Sequence, residues 1–204
     1  VRASASNDST PASGEETPVD TPRRAQNRAR ILEAAWGLAR TQGLTGWSLR
    51  DLAGQVGMRA PSLYVYFDSK DQIYDAMFAQ GYTELLATTG SVELSDDPVE
   101  AVHQMARTFM NFCVADPARV QLLFWRVIPG FTPSPASYAL AEKTLEQTVD
   151  LLARAGLSTP EALDLWTAML TGLVTQQVSN DPDGDRWVRL VDHAVDMLLA
   201  TERV

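Results

Sequence analysis

Four arginines, Arg23, Arg24, Arg28 and Arg30, crowd into one short stretch, and Arg50 and Lys70 follow downstream. Guanidinium and ammonium groups gathered in this way suit a polyanion, because each donates to phosphate oxygens and displaces counterions. The distribution of charge supports that chemistry. Residues 21–80 hold eight basic and five acidic groups and residues 81–204 hold eight and seventeen, so a locally basic surface sits on a chain of formal net charge -9. Other chemistries are poorly served. Cys113 is the single cysteine, which excludes an internal disulfide framework and a zinc site built on three or four thiolates. Asp181, Asp183, Asp185 and Asp192 match the first, third, fifth and twelfth places of a calcium loop, but Arg186 stands where that loop needs glycine and the last place lacks glutamate. His103 and His193 lie far apart, and no HExxH, GxSxG, Walker or GxGxxG pattern occurs. No enzyme, metal site or cofactor is expected.

These residues must be held by helices, since no alternating strand pattern appears anywhere and the fold class expected is all-α, with about nine helices. Residues 1–22, rich in Ser, Thr, Pro, Asp and Glu, bury too little to offset backbone entropy and read as a disordered tail. The first helix is expected over about 24–42, with Ile31, Leu32, Ala35, Trp36, Leu38 and Ala39 at offsets of three and four. Ser48 with Asp51 forms a capping box that opens a two-turn second helix. Gly57 permits a tight turn, and Pro61 sits where a third helix begins, at a place whose amide needs no partner. Ser69 with Gln72 opens a fourth, running to about residue 88. Asp97-Pro98, Asp116-Pro117 and Thr159-Pro160 start further helices, Pro129 to Pro135 reads as a loop, and DPDGD at 181–185 leads into the last helix. The longest nearly apolar run, Leu165 to Val174, is about half a membrane span. With no signal segment either, a cytoplasmic protein with no membrane partner is expected.

Two short helices joined by a glycine-containing turn and preceded by a basic helix satisfy the helix-turn-helix description. The second would present Arg59, Ala60, Ser62, Tyr64, Val65 and Tyr66 to a major groove. From Ser48 to Phe78 the chain closely resembles the TetR family of bacterial transcription regulators, whose hallmark at the third and fourth helices reads here Leu63-Tyr64-Val65-Tyr66-Phe67-Asp68-Ser69-Lys70. The resemblance implies that Arg50 and Ser62 approach bases or phosphates, that Tyr64 and Tyr66 meet the sugar-phosphate backbone, and that Lys70 holds a phosphate. Arg24, Arg28 and Ser48 join this expected DNA surface. Family members often carry Ser, Lys and Gly at the third helix start, where this chain has Arg59-Ala60-Pro61, so the operator is not transferable. Simpler roles exist for the same residues: Tyr64 and Phe67 as core aromatics, and the arginine run as a solvated face.

The resemblance divides the chain into a DNA-binding domain at 23–68 and a ligand-binding and dimerisation domain at 69–204, with 69–88 as the linking helix. It implies a homodimer on a near-palindromic double-stranded DNA operator and a cavity for a small hydrophobic effector. Phe109, Cys113, Trp125, Trp166 and Met169 are the expected lining, although aromatic and methionine side chains at helical spacing are usually core. His103 and Arg107, one turn apart, are the polar pair expected to face inward. The last two helices are apolar almost all round, which calls for burial on two sides. Leu170, Gly172 and Leu173 on one, and Trp187, Leu190, Val191, Ala194 and Leu198 on the other, are the expected dimer surface. The function expected is ligand-responsive transcriptional regulation, most simply repression. The alternatives are a constitutive DNA-binding protein and an all-helical carrier or enzyme for a hydrophobic molecule.

Overall fold

In the computed structural model, residues 22–202 are described; most of the expected tail lies outside them. Nine α-helices and one 3-10 turn make up the regular structure, with no strand among the described residues. Three helices come first: α1 (Pro22–Gln42), α2 (Leu49–Gln55) and α3 (Ala60–Leu63). The capping box at the start of α2 forms as its sequence dictates. The Asp51 amide donates to Ser48 Oγ at 3.2 Å, and the Ser48 amide donates to Asp51 Oδ2 at 2.8 Å. At its other end the Met58 amide donates to the Ala53 carbonyl at 2.8 Å, which requires Gly57 at a φ of 68°, a backbone state that side-chain-bearing residues avoid. The third helix is shorter than its sequence suggests. It spans one turn, after which residues 64–66 form a turn, because the Tyr66 and Phe67 amides both converge on the Leu63 carbonyl.

Burial locks this group together. Ile31, Ala35 and Leu38 from α1 meet Leu52, Ala53, Leu63 and Phe67, all at most 3 % exposed. Each large apolar side chain so buried contributes about 1.5–3 kcal/mol. Helix α4 (Lys70–Gly90) opens on Ser69, whose hydroxyl accepts from the Gln72 amide at 3.1 Å, and runs on into the remaining helices. Those are α5 (Pro98–Ala115), α6 (Pro117–Phe124), α7 (Pro135–Arg154), α8 (Pro160–Asn180) and α9 (Val191–Glu202), the last preceded by the 3-10 turn Val188–Leu190. Asp97, Asp116, Ser134 and Thr159 each cap the helix they precede, with proline in its first turn. Helix α6 stops at Phe124, and an irregular segment leads through the prolines to α7.

Side-chain hydrogen bonds tie α1 to the later helices. Arg40 on α1 donates twice to Asp116 Oδ2 at the head of α6, at 3.0 and 2.8 Å, and Asp116 is 6 % exposed. The Trp36 indole donates to Gln80 Oε1 on α4 at 3.1 Å. Helices α4 and α6 lie unusually close, since a Cβ on Gly81 would stand 3.0 Å from Leu123 Cδ2. No helix among the described residues is long and apolar enough to cross a membrane.

Candidate nucleic-acid interface and ligand chamber

Around the one-turn helix α3, Arg59, Pro61 and Ser62 are exposed and Ala60 is half-buried. Tyr64 and Val65 are 53 % and 59 % exposed, while Leu63 and Phe67 point back into the core. Large apolar groups left in water immediately after a one-turn helix are ready to meet a partner surface. Arg50 is exposed on α2 nearby. Ser48 is exposed too, but its hydroxyl both caps α2 and lies 2.6 Å from Asp51 Oδ2. The Ser48 hydroxyl and amide bonds hold the Asp51 carboxyl below the usual aspartate range.

Several of the basic residues turn inward to build this surface. Arg28 donates to the Tyr66 carbonyl and its guanidinium lies 4.2 Å above the Phe67 ring. Asn27 donates to the Tyr66 hydroxyl at 2.8 Å, so α1 fixes the turn that follows α3. Arg30 donates to the Val56 carbonyl at 3.2 Å. Arg23 is exposed and Arg24 half-buried. Lys70 donates to the Trp47 carbonyl at 2.6 Å, with its ammonium 4.1 Å from the Trp47 ring and 5.2 Å from that of Tyr74. Burial lowers the Lys70 pKa, and the charges of Asp51 and Asp71 act against that shift. The sequence does not reveal this inward use of Arg28 and Lys70, because Phe67 and Trp47 read as packing residues without showing which cation rests on them.

The second site is a cavity between α4, α5, α7 and α8. Its inner chamber, about 210 Å³, has aromatic walls of Tyr82, Phe109, Phe124 and Trp166. An outer chamber of about 410 Å³ shares Tyr82, Phe124, Ala141, Leu145 and Thr171 with it and extends to Trp125, Arg126 and Glu142. Burial pushes the Tyr82 phenol well above its ordinary pKa, and its hydroxyl donates to the Leu123 carbonyl at 3.4 Å. Of the expected lining, Phe109 and Trp166 face the inner chamber and Trp125 the outer. Cys113 is fully buried, which raises its thiol pKa to about 12, and Met169 is half-buried; neither is a chamber wall.

His103 and Arg107 face α9 rather than the cavity. The His103 ring nitrogens lie 3.2 Å from Asp192 Oδ1 and 3.1 Å from Asp196 Oδ1, and Arg107 donates to Asp192 at 2.7 Å and Glu100 at 3.0 Å. Asp192 and Asp196, far away in sequence, thus claim the polar pair, with Glu100 on Arg107's own helix adding a further contact. Leu170, Val191 and Leu198, expected at a partner surface, are at most 5 % exposed and pack into this chain's own core, Leu170 as a wall of the inner chamber. Of the expected residues, Gly172 on α8 and Leu190 in the 3-10 turn before α9 do face outward, beside Leu165 on α8 and Met197 on α9, and Leu173, Trp187 and Ala194 are half-buried. Sequence reasoning missed the threonines of the chamber, although Thr144 and Thr148, and Thr167 and Thr171, stand one turn apart on α7 and α8.

Comparison with known proteins adds an independent line. Residues 31–77 match the family model of the bacterial regulatory proteins, tetR family. The chain is 28% identical over 140 residues to the HTH-type transcriptional regulator Rv1816 of Mycobacterium tuberculosis, covering 67% of this chain and 59% of that protein. It is 26% identical over 156 residues to the HTH-type transcriptional repressor Rv1353c of the same organism, covering 73% and 58%. The chain therefore spans less than two thirds of the length of these relatives. Among solved structures it is similar to the regulatory protein SCO4313, with a TM-score of 0.74 and 22% identity over 90% of this chain and 100% of that one. It is also similar to the TetR family transcriptional regulator PfmR from Thermus thermophilus, with a TM-score of 0.65 and 22% identity over 84% and 97%. At these identities the likeness establishes a shared fold.

Proposed function

We propose, from the match of residues 31–77 to the family model of the bacterial regulatory proteins, tetR family, that the chain is a dimeric, DNA-binding transcriptional regulator whose operator affinity responds to a small molecule. The observation that carries the reading is the exposed surface of Arg59, Ser62, Tyr64 and Val65, braced from behind by Arg28 and Asn27. In this reading residues 23–68 form the DNA-binding unit and residues 69–204 the ligand-binding and dimerisation unit, with 69–88 linking them. Arg50, Arg59, Ser62 and Tyr64 meet the groove, and Arg24 and Lys70 meet phosphates. Repression is the simplest mode, because a protein seated on an operator blocks other proteins from the same DNA.

The chamber is the proposed effector site. Leu122, Leu123 and Phe124 at the end of α6 belong to the outer chamber wall, and the head of α6 is tied to α1 through Asp116 and Arg40. Arg119 on α6 also pairs with Glu84 on α4 at 2.7 Å. A ligand that displaces α6 therefore shifts both helices that carry the DNA-binding unit, and it needs only a few kcal/mol of differential affinity to change the balance of states.

Fluorescence anisotropy against labelled duplexes tiled across the DNA upstream of the protein's own gene, with excess random duplex and over a range of salt, tests the reading. Tight, salt-dependent binding to one tile that survives competitor is the expected result. Binding to every tile no better than to random DNA defeats it.

A further inference from the structure

Five threonines, Thr89, Thr144, Thr148, Thr167 and Thr171, stand among the walls of the inner chamber, drawn from α4, α7 and α8. Each hydroxyl proton is already committed to its own helix. Thr89 donates to the Leu85 carbonyl at 2.9 Å, Thr144 to Leu140 at 2.9 Å, Thr148 to Thr144 at 3.0 Å, Thr167 to Asp164 at 3.0 Å and Thr171 to Thr167 at 2.6 Å. A threonine so bonded has only methyl groups and oxygen lone pairs left to offer. The Tyr82 proton is likewise directed at a backbone carbonyl. Among the described residues, no arginine, lysine, histidine or carboxylate lines this chamber; Arg126 and Glu142 belong to the outer one.

Gln147 and Trp166 also line the chamber and carry neutral N–H donors, but no cation does, so the threonine lone pairs on α7 and α8 are left for a ligand's own donor while an anion meets no positive charge. We infer that the inner chamber takes a neutral aromatic molecule bearing a hydroxyl or N–H donor, a phenol being the simplest case, and discriminates against aromatic carboxylates of the same shape. A donor on the ligand meets the threonine lone pairs on the α7 and α8 walls. An anion there brings more negative charge toward those lone pairs with no cation to offset its desolvation. A ligand with acceptors alone gains the stacking against Phe109, Phe124 and Trp166 but not the hydrogen bonds. Thr148 on α7 and Thr171 on α8 are the specificity-determining residues, because they bring the acceptors to the α7 and α8 walls.

The inference rests on the effector site proposed above, and the experiment separates the two. Isothermal titration calorimetry of the full chain at neutral pH compares para-butylphenol, its methyl ether para-butylanisole, and para-butylbenzoate. The phenol is expected to bind about tenfold tighter than either of the others, the worth of one well-made hydrogen bond. Thr148→Val and Thr171→Val keep the shape and remove the lone pairs, so each is expected to weaken the phenol several-fold and leave the ether unchanged. Equal or tighter binding of the benzoate or the ether, equal losses for phenol and ether in the variants, or no binding of any of the three overturns the inference. Operator release is read separately by anisotropy. A phenol that binds but leaves the operator occupied defeats the regulatory reading alone, and a benzoate that binds more tightly than the phenol and releases the operator defeats the donor rule alone.

Discussion

Lys70 gives one proton to the Trp47 carbonyl and rests its charge on the Trp47 ring, which leaves the ammonium half-buried at the head of α4. That geometry makes it a clamp on the loop between α1 and α2 as well as a candidate phosphate ligand. Lys70→Met separates the roles. Loss of the cation–π contact and the hydrogen bond is expected to cost about 1–2 kcal/mol in urea denaturation. If Lys70 also reaches phosphate, the slope of log affinity against log salt falls by about one; an unchanged slope with the same stability loss leaves it a clamp only. Arg28 poses a similar question with a different answer. Its contacts to Tyr66 and Phe67 make it a brace, so Arg28→Ala is expected to weaken operator binding by misplacing Tyr64 and Val65 and to lower the unfolding midpoint with it. Retained stability with a lost salt-slope contribution would assign Arg28 to phosphate instead. The basic cluster was legible in the sequence as a cluster, but which of its members point inward depends on aromatic partners up to 39 positions away.

Among the elements, the helices announced themselves through their caps. Ser48, Ser69, Asp97, Asp116 and Thr159 each open the helix expected of them, because capping is a local arrangement between a side chain and amides two or three residues on. What the sequence does not carry is rotational phase where a helix is apolar all round. Leu170 lines up with Trp166 and Val174 toward the core, and only packing against α5 and α9 decides that Leu165 faces out. Pairing between elements is equally silent, as His103, Arg107 and Asp192 show. Burial pushes the Asp192 carboxyl up, but the hydrogen bonds from Arg107 and His103, together with their charges, outweigh it and hold its pKa below the ordinary aspartate value. A depressed folded-state pKa means stability present above the unfolded value, near 4, and lost as pH falls through the folded one. Asp192→Asn is therefore expected to be less stable than the parent at neutral pH and to converge with it as the pH drops below about 4, as followed by circular dichroism during acid titration. A constant gap across that range defeats the assignment. The approach of α4 to α6 makes its own prediction. Gly81→Ala sets a methyl 3.0 Å from Leu123, so it is expected to destabilise the fold by about 1 kcal/mol and to shift α6. Calorimetric melting checks the first, and effector-dependent operator release checks the second.

For the molecule as a whole, the proposed dimer makes the outward stripe on α8, α9 and the 3-10 turn before α9 the feature that sets how many DNA units act together. Leu165, Leu190 and Met197 are 47 %, 37 % and 60 % exposed, with Gly172 between them offering no side chain to hold a second helix away. Two copies joined through this stripe form a four-helix bundle in which each chain covers the other's apolar residues, and two-fold symmetry then fixes the separation of the two α3 surfaces. Half-sites one DNA turn apart, about 34 Å, are the expected geometry. Met197→Glu places a charge on each side of that seam without touching the core, so the variant is expected to keep its helical signal while sedimenting as a monomer. Its affinity for a full operator should fall toward that for a half-site, because linkage of two binding events contributes a factor of at least about a hundred when geometry allows both. A monomeric variant that still binds the full operator as tightly as the parent would mean that a single copy makes all the productive contacts. In that case the stripe on α8 and α9 serves another partner, and the asymmetry of charge between the basic first helices and the acidic remainder becomes the dominant means of keeping one end of the molecule on DNA.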